Sequence, residues 1–317
     1  MISCCFVKVL EARSPERAPS NGSAFGRLLK DWRGRRGFSQ LDLALATHTT
    51  QRHLSFIESG RAKPSREMIL RLAATMNLPL RQQNALMLAA GYAPLWRERD
   101  LSAPDLAVVN SALDFMLAQH EPYPAFVIDR CWNLLRANRG ALKLTEFLTG
   151  TTSPTTSSEP INLAVALLAP DGLRPFIINW QEVALHFIRG VEADARADGM
   201  PETAGLLDRL LALPDVPALS DLMAPEEGQS PVLPIHFQRD GTSLRLFTTI
   251  ATLGTPREVT LEEIRIEFFF PMDEPTAQRC VAGPNGLSVG QITGPSHRIR
   301  RFKLLPTRCS RRQVVCA

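Results

Sequence analysis

The stretch from Ser39 to Gly60, SQLDLALATHTTQRHLSFIESG, limits what this chain can fold into more than any other. Ser39 is a helix-capping residue, and Asp42 three positions on completes a capping-box-like pattern. Leu43, Ala44 and Thr47 then fall on one inward face. Thr50 is a second capping residue, so the chain turns between about Thr47 and Thr50 and restarts as a helix. Leu54 and Ile57 are the inward pair of that second helix, and Gly60 stands where a left-handed C-terminal residue is favoured. The outward face opens with Gln51 and Arg52 and is polar and basic.

Two short helices need support, and the flanks supply it. Phe25, Leu28, Leu29 and Trp32 follow the i, i+3, i+4, i+7 spacing of an amphipathic helix. After Pro64-Ser65 the residues Met68, Ile69, Leu72, Ala73 and Met76 repeat that spacing, and a fifth helix runs from about Leu80 to Ala90, stopping at Gly91. Residues 23–91 therefore read as an all-α domain of five helices. A helix led by Gln51 and Arg52 suits a DNA major groove, because Gln pairs with adenine and Arg with guanine through two hydrogen bonds each. The bland alternative is a bundle that contacts only protein. Charge argues against it: Asn21 to Ala103 holds 13 Lys and Arg against 6 Asp and Glu. The excess includes Arg35, Arg36, Arg52, Arg61 and Lys63, near the groove-facing elements, as phosphate contact requires.

The residues Ser39-Gln40, Leu43-Ala44, Thr50, the run Leu54-Ser55-x-Ile57-Glu58-x-Gly60 and Pro64-Ser65 resemble the Xre-type, phage-repressor-like helix-turn-helix family. The resemblance implies that Gln40 touches a phosphate. It also implies that Arg33, late in the first helix, pairs with Glu58 near the end of the recognition helix. The DNA-contacting set expected on this basis is Gln40, Thr50, Gln51, Arg52, His53, Phe56, Arg61 and Lys63. One departure is His48, where the family carries Gly in the turn. His tolerates positive φ better than a β-branched residue does, so a strained but preserved turn is expected.

A length of 317 residues allows two domains, and a net charge of +4 conceals a segregation. Residues 104–280 carry 13 basic and 24 acidic side chains, whereas 281–317 carry 7 basic and none acidic. An acidic middle is a poor surface for DNA, which points to a different task there. The six cysteines show no CxxC and no metal-ligand spacing with the histidines. His186 and His236 lack a second ligand at helical spacing, so no metal and no cofactor is expected. The apolar start, MISCCFVKVL, is too short to span a membrane and lacks a basic region before it; no membrane association and a cytoplasmic location are expected.

Tyr92 to about Ala103 reads as a linker, followed by a helix at about Pro104–Gln119. His120–Asn138 reads as a β-hairpin, in which Phe126 and Ile128 alternate with Val127 and Trp132 and Leu134 continue on the next strand. Helices are expected at about Arg139–Phe147, Ile161–Leu168, Phe176–Ala197 and Glu202–Leu213, with a polar loop from Gly150 to Ser158. Strands are expected at Val232–Phe237, Ser243–Ala251 and Leu261–Phe270. Two strands early and three late, with helices between, give an α+β domain with an antiparallel sheet and helices on one face.

Several of these segments are similar to the MmyB-like ligand-binding domain. They are Glu121-Pro-Tyr-Pro-Ala, Trp132-Asn-Leu-Leu-x-x-Asn138, Pro170-Asp-Gly-Leu-Arg-Pro175, Asn179-Trp180, Gly254-Thr-Pro and Phe269-Phe-Pro-x-Asp273. The similarity covers residues 104–278 and implies a PAS-like fold, placed after a helix-turn-helix domain, that binds a small, largely apolar molecule. Candidate ligand-binding residues, from their apolar side and location, are Phe126, Ile128, Trp132, Trp180, Phe187 and Phe247; the alternative for each is an ordinary core role. Residues 1–22 read as a disordered arm, 92–103 as the linker and 279–317 as a basic, disordered tail.

None of GxxxxGK[ST], HExxH or GxGxxG after a strand is present, and GxSxG occurs only as Gly286-Leu-Ser-Val-Gly290 in the segment read as a basic tail, so an enzyme is not expected. The reading is a DNA-binding transcriptional regulator, acting as a homodimer on double-stranded operator DNA, whose second domain senses a small apolar ligand or mediates dimerisation. The alternatives are a protein-interaction or antitoxin-like module with secondary DNA binding, and a haem- or flavin-type sensor.

Overall fold

The computed structural model describes residues 23–150, 160–216 and 232–282. The expected N-terminal arm, nearly all of the polar loop after Gly150 and the tail from residue 283 lie outside the described residues.

Five helices form the head: α1 (Ala24–Arg35), α2 (Gln40–Ala46), α3 (Gln51–Glu58), α4 (Arg66–Thr75) and α5 (Leu80–Ala89). Side chains cap the first four. Ser23 accepts from the Gly26 amide, Thr50 from His53 and Ser65 from Met68. Ser39 and Asp42 form the complete reciprocal capping box of α2. Such caps each contribute about 1 kcal/mol by satisfying amides that the helix leaves free. Leu29, Leu43, Leu54, Ile57, Ile69 and Leu72 are all fully buried in one cluster, each adding roughly 1.5–3 kcal/mol of burial. The turn between α2 and α3 takes His48 to φ 52°, the left-handed value that Gly would adopt without cost. Gly26 is set by a close approach: a Cβ there would lie 2.1 Å from the carbonyl oxygen of Glu58. That contact lets α1 cross the end of α3 backbone to backbone.

The second domain starts with a 3₁₀ turn at Pro104–Leu106 that leads into α6 (Ala107–Gln119). It continues through β1 (Ala125–Ile128), β2 (Leu134–Ala137), α7 (Arg139–Thr149), α8 (Leu163–Leu168), α9 (Trp180–Asp198) and α10 (Pro201–Leu211). Next come β3 (Pro234–Arg239), β4 (Thr242–Thr252), α11 (Val259–Glu263), β5 (Arg265–Pro271) and α12 (Glu274–Ala282). The strands form one antiparallel sheet in the order β2-β1-β5-β4-β3.

Helices lie on both faces of this sheet, where the sequence pattern pointed to one. Phe126, Ile128, Leu244, Leu246 and Phe269 face α7–α10 in the larger apolar cluster. Val127 and Ile266 face the other way, against Leu113 and Leu117 of α6. β1 is apolar at every position because each of its faces is covered. The last strand starts later than the alternation suggested, since Leu261 and its neighbours form α11 and only then does the chain extend. α12, which the sequence pattern did not reveal, packs on β4 and ends at Ala282.

Candidate nucleic-acid interface and ligand-binding core

The angle between α1 and α3 is held by a network of three side chains and one backbone carbonyl. Arg33 Nε and Nη2 donate to the two Glu58 oxygens at 2.6 and 3.2 Å, and Nη1 donates to the Phe38 carbonyl at 3.0 Å. Gln40 Nε2 donates to Glu58 Oε2 at 2.7 Å. The arginine side chain is 14% exposed and the glutamate 5%, so the charges are shielded from water but matched. One N–H of the Gln40 amide is committed to Glu58, which leaves its second N–H for a phosphate.

With the inward pair Leu54 and Ile57 buried, α3 turns Gln51 and Arg52 fully outward. His53 and Phe56 are half-buried on the flank. The Arg52 guanidinium lies 5.4 Å from the Phe56 ring centroid and that of Arg61 lies 5.8 Å from it. Two exposed cations thus share one aromatic ring, which orders their stems while their heads stay in solvent. Lys63 sits 4.9 Å from the Tyr92 ring, and Tyr92 donates to the Pro64 carbonyl at 3.0 Å. Thr50 uses its oxygen as the α3 cap and keeps its O–H for an outside acceptor. Arg35 and Arg36 are elsewhere: both guanidinium groups lie over the Trp32 ring, and Arg36 donates to Ala197 of the second domain.

In the second domain Ile128, Trp132, Trp180 and Phe187 join the large cluster between the sheet and α7–α10, with Phe126 packed at its edge. Trp132 and Phe187 have ring centroids 4.9 Å apart, and Phe126 meets Phe269 edge-on at 5.6 Å. Phe247 does not join them. The period-2 alternation of β4 places Leu244 and Leu246 inward and turns Phe247 to the opposite face, where it stacks on Phe270 at 5.4 Å. Local alternation carries no register for this strand, and a one-residue difference reverses the face.

Three polar groups in this part of the domain went unnoticed in the sequence. Trp132 takes φ 65°, a costly backbone for a bulky residue, in a turn ordered by the Asp129 carboxylate, which accepts from Cys131 and Asn133 amides. The indole N–H groups of Trp132 and Trp180 are buried with no hydrogen-bond partner among the described residues. Glu267, at the centre of β5, is 2% exposed; burial pushes its carboxyl up to about 7, against the opposing hydrogen bond from Thr248. Nothing in the alternation of Arg265, Glu267 and Phe269 distinguishes a buried glutamate from a solvated one.

Among the described residues no group of three or more His, Cys, Asp and Glu could hold a metal ion. His236 accepts from Arg245 Nε at 3.3 Å, and His186 lies on the exposed side of α9. No described helix is long and apolar enough to cross a membrane.

A capped helix-turn-helix with a basic outward helix, joined to an antiparallel α+β domain, defines a DNA-binding transcription regulator. Residues 29–83 match a helix-turn-helix family model. Residues 109–281 match the model of the MmyB-like transcription regulator ligand binding domain. The chain belongs to that MmyB-like family. Both matches are to transcription-regulator domains rather than to enzymes. No curated protein matches the chain. Among solved structures, an RNA-binding light-oxygen-voltage receptor is similar at 12% identity, over 83% of this chain and 62% of that one, with a TM-score of 0.26, a likeness too low to carry an argument.

Proposed function

We propose that the chain is a one-component regulator that reads operator DNA with α3 and responds to a small, largely apolar molecule held by its second domain. The observation that carries the DNA half is the exposed pair Gln51 and Arg52 on a helix whose angle is fixed by Arg33, Gln40 and Glu58. Gln51, Arg52 and His53 reach base edges in this reading. Gln40, Thr50, Arg61 and Lys63 take phosphates, and Phe56 holds the two arginines in place. Phosphate contacts set register and base contacts set sequence.

The ligand half rests on Trp132. A strained backbone presents a buried indole whose N–H has no acceptor among the described residues, inside an apolar cluster that also holds Trp180, Phe187, Ile128 and Phe126. A bound molecule with an apolar body and one hydrogen-bond acceptor would complete it. The protein acts as a homodimer in this account, because two recognition helices about one DNA turn (~34 Å) apart read a palindrome. Native mass spectrometry of the purified protein, followed by extraction, tests the ligand half. An apolar compound released in unit ratio supports it; a ligand-free dimer leaves the second domain as a dimerisation unit.

A second reading, a module that docks a protein partner, is favoured by one observation. Val108 and Phe115 of α6 are 82% and 64% exposed on the side away from the sheet. Analytical ultracentrifugation separates the two: a dimer that dissociates in Phe115→Asp assigns this side to a second copy, and a monomer in the wild type favours a different partner.

A further inference from the structure

The junction between head and second domain is built around α11. Arg99 Nε and Nη2, from the linker, donate to the carboxylate of Glu258, just before this helix, at 2.8 and 3.1 Å. The Thr260 hydroxyl donates to the Arg99 carbonyl at 2.6 Å. The linker is itself fastened to α5, where the Asn84 side-chain oxygen accepts from the Leu95 and Trp96 amides, each at 3.0 Å.

The other end of α11 reaches α5 directly. Glu262 Oε2 accepts from the Leu80 amide at 2.7 Å. Pro79 offers α5 no side-chain cap, so the second domain supplies the acceptor that the first turn of this helix lacks. Glu263 receives Arg81 Nε at 2.7 Å and Nη2 at 3.0 Å, and the same carboxylate receives Arg130 Nη1 at 3.1 Å. Arg130 is 9% exposed; it pairs with Asp198 at the end of α9 and donates to Thr203 at 3.2 Å. Beside this network, a Cβ on Gly199 would come within 3.1 Å of the Trp32 ring of the head, so the two domains touch closely enough that a side chain there would displace the ring by a few tenths of an ångström.

An exposed ion pair contributes little. Here one carboxylate is shared by an arginine from each domain, with bidentate geometry on the head side, and such pairs fix direction as well as distance. α11 also runs straight into β5, whose Arg265 grips Asp194 of α9 at 2.6 and 2.7 Å. The segment from α11 into β5 thus contacts both α5 of the head and α9 of the second domain.

The geometry assigns Glu262 and Glu263 of α11 as positioning residues for the DNA-binding head, holding α5, and through it α3, at a fixed angle on the second domain. This rests on the two-domain regulator reading above. Hydrogen exchange of the full chain, measured without DNA, tests it separately from operator binding, which can fail or succeed independently. In Arg81→Glu, residues 78–84 and 258–264 are expected to exchange together about tenfold faster, equivalent to ~1.4 kcal/mol, with residues 43–57 unchanged. Arg81→Lys, which keeps the charge but not the two-pronged geometry, is expected to exchange at a rate between the wild type and Arg81→Glu at both segments, a graded response that a general loss of packing would not show. Should Arg81→Glu loosen residues 43–57 as well, Glu263→Gln, placed outside the head, becomes the deciding variant and is expected to loosen the same two segments. Unchanged exchange in Glu263→Gln, or loosening of 78–84 without 258–264 in either variant, overturns the assignment.

Discussion

Arg33, near the end of α1, and Glu58, the last residue of α3, close on each other at 2.6 and 3.2 Å with the carboxylate almost wholly shielded from solvent. The pair links the first helix of the head to its recognition helix. Glu58→Ala leaves a shielded guanidinium without its carboxylate, and breaking such a pair costs up to ~3–5 kcal/mol. Urea denaturation of the full chain is expected to show the loss in the head's transition; an unchanged midpoint would remove the pair from any structural role.

Arg52 stands on the outward face with its stem against Phe56. Arg52→Ala is expected to cost about 1–3 kcal/mol in operator binding and to relax the preference at one base pair. Binding to a panel of single-base operator variants reads this, and an unaltered preference at every position would place Arg52 outside the base readout.

Arg61 leans on the same ring but lies beyond the end of α3. Arg61→Ala is expected to weaken binding about equally on all sequences and to reduce the slope of log affinity against log salt by roughly one. Loss confined to particular sequences would contradict a phosphate role.

Much of the head was legible because its signals are local. Capping residues lie three positions from the amides they satisfy, and the apolar spacing of α1, α3 and α4 marks the buried side without knowledge of the partner helix. His48 could be read at positive φ for the same reason: the turn is defined by its neighbours. The second domain depends on long-range pairing, and there the reading thinned. Phe247 was assigned by its apolar character, whereas its face depends on the register between β4 and β5. Glu267 alternates like a solvent-facing residue, and only the helices across the sheet bury it. α11 and the Arg81–Glu263 pair join residues far apart in the chain, for which the sequence offers no spacing to count.

Glu267 makes stability depend on pH. Folding raises its carboxyl from the ordinary 4.5 to about 7, so the folded protein holds this proton more tightly than the unfolded chain. The stabilisation is complete below about pH 4.5 and disappears as pH rises through 7, an effect of order ~3 kcal/mol. Glu267→Gln cannot ionise and is expected to lack this decline. Denaturation midpoints for both proteins at pH 5 and pH 8 measure it; parallel behaviour of the two would show that the group does not titrate in that window.

The most direct test of the whole account is selection of bound duplexes from a random DNA library by the purified full chain, alongside Arg52→Ala. The wild type is expected to enrich one recurring half-site, and the variant to lose preference at one of its positions. Recovery of sequences indistinguishable from the starting library, at low and at moderate salt, would contradict sequence-specific reading of DNA by α3.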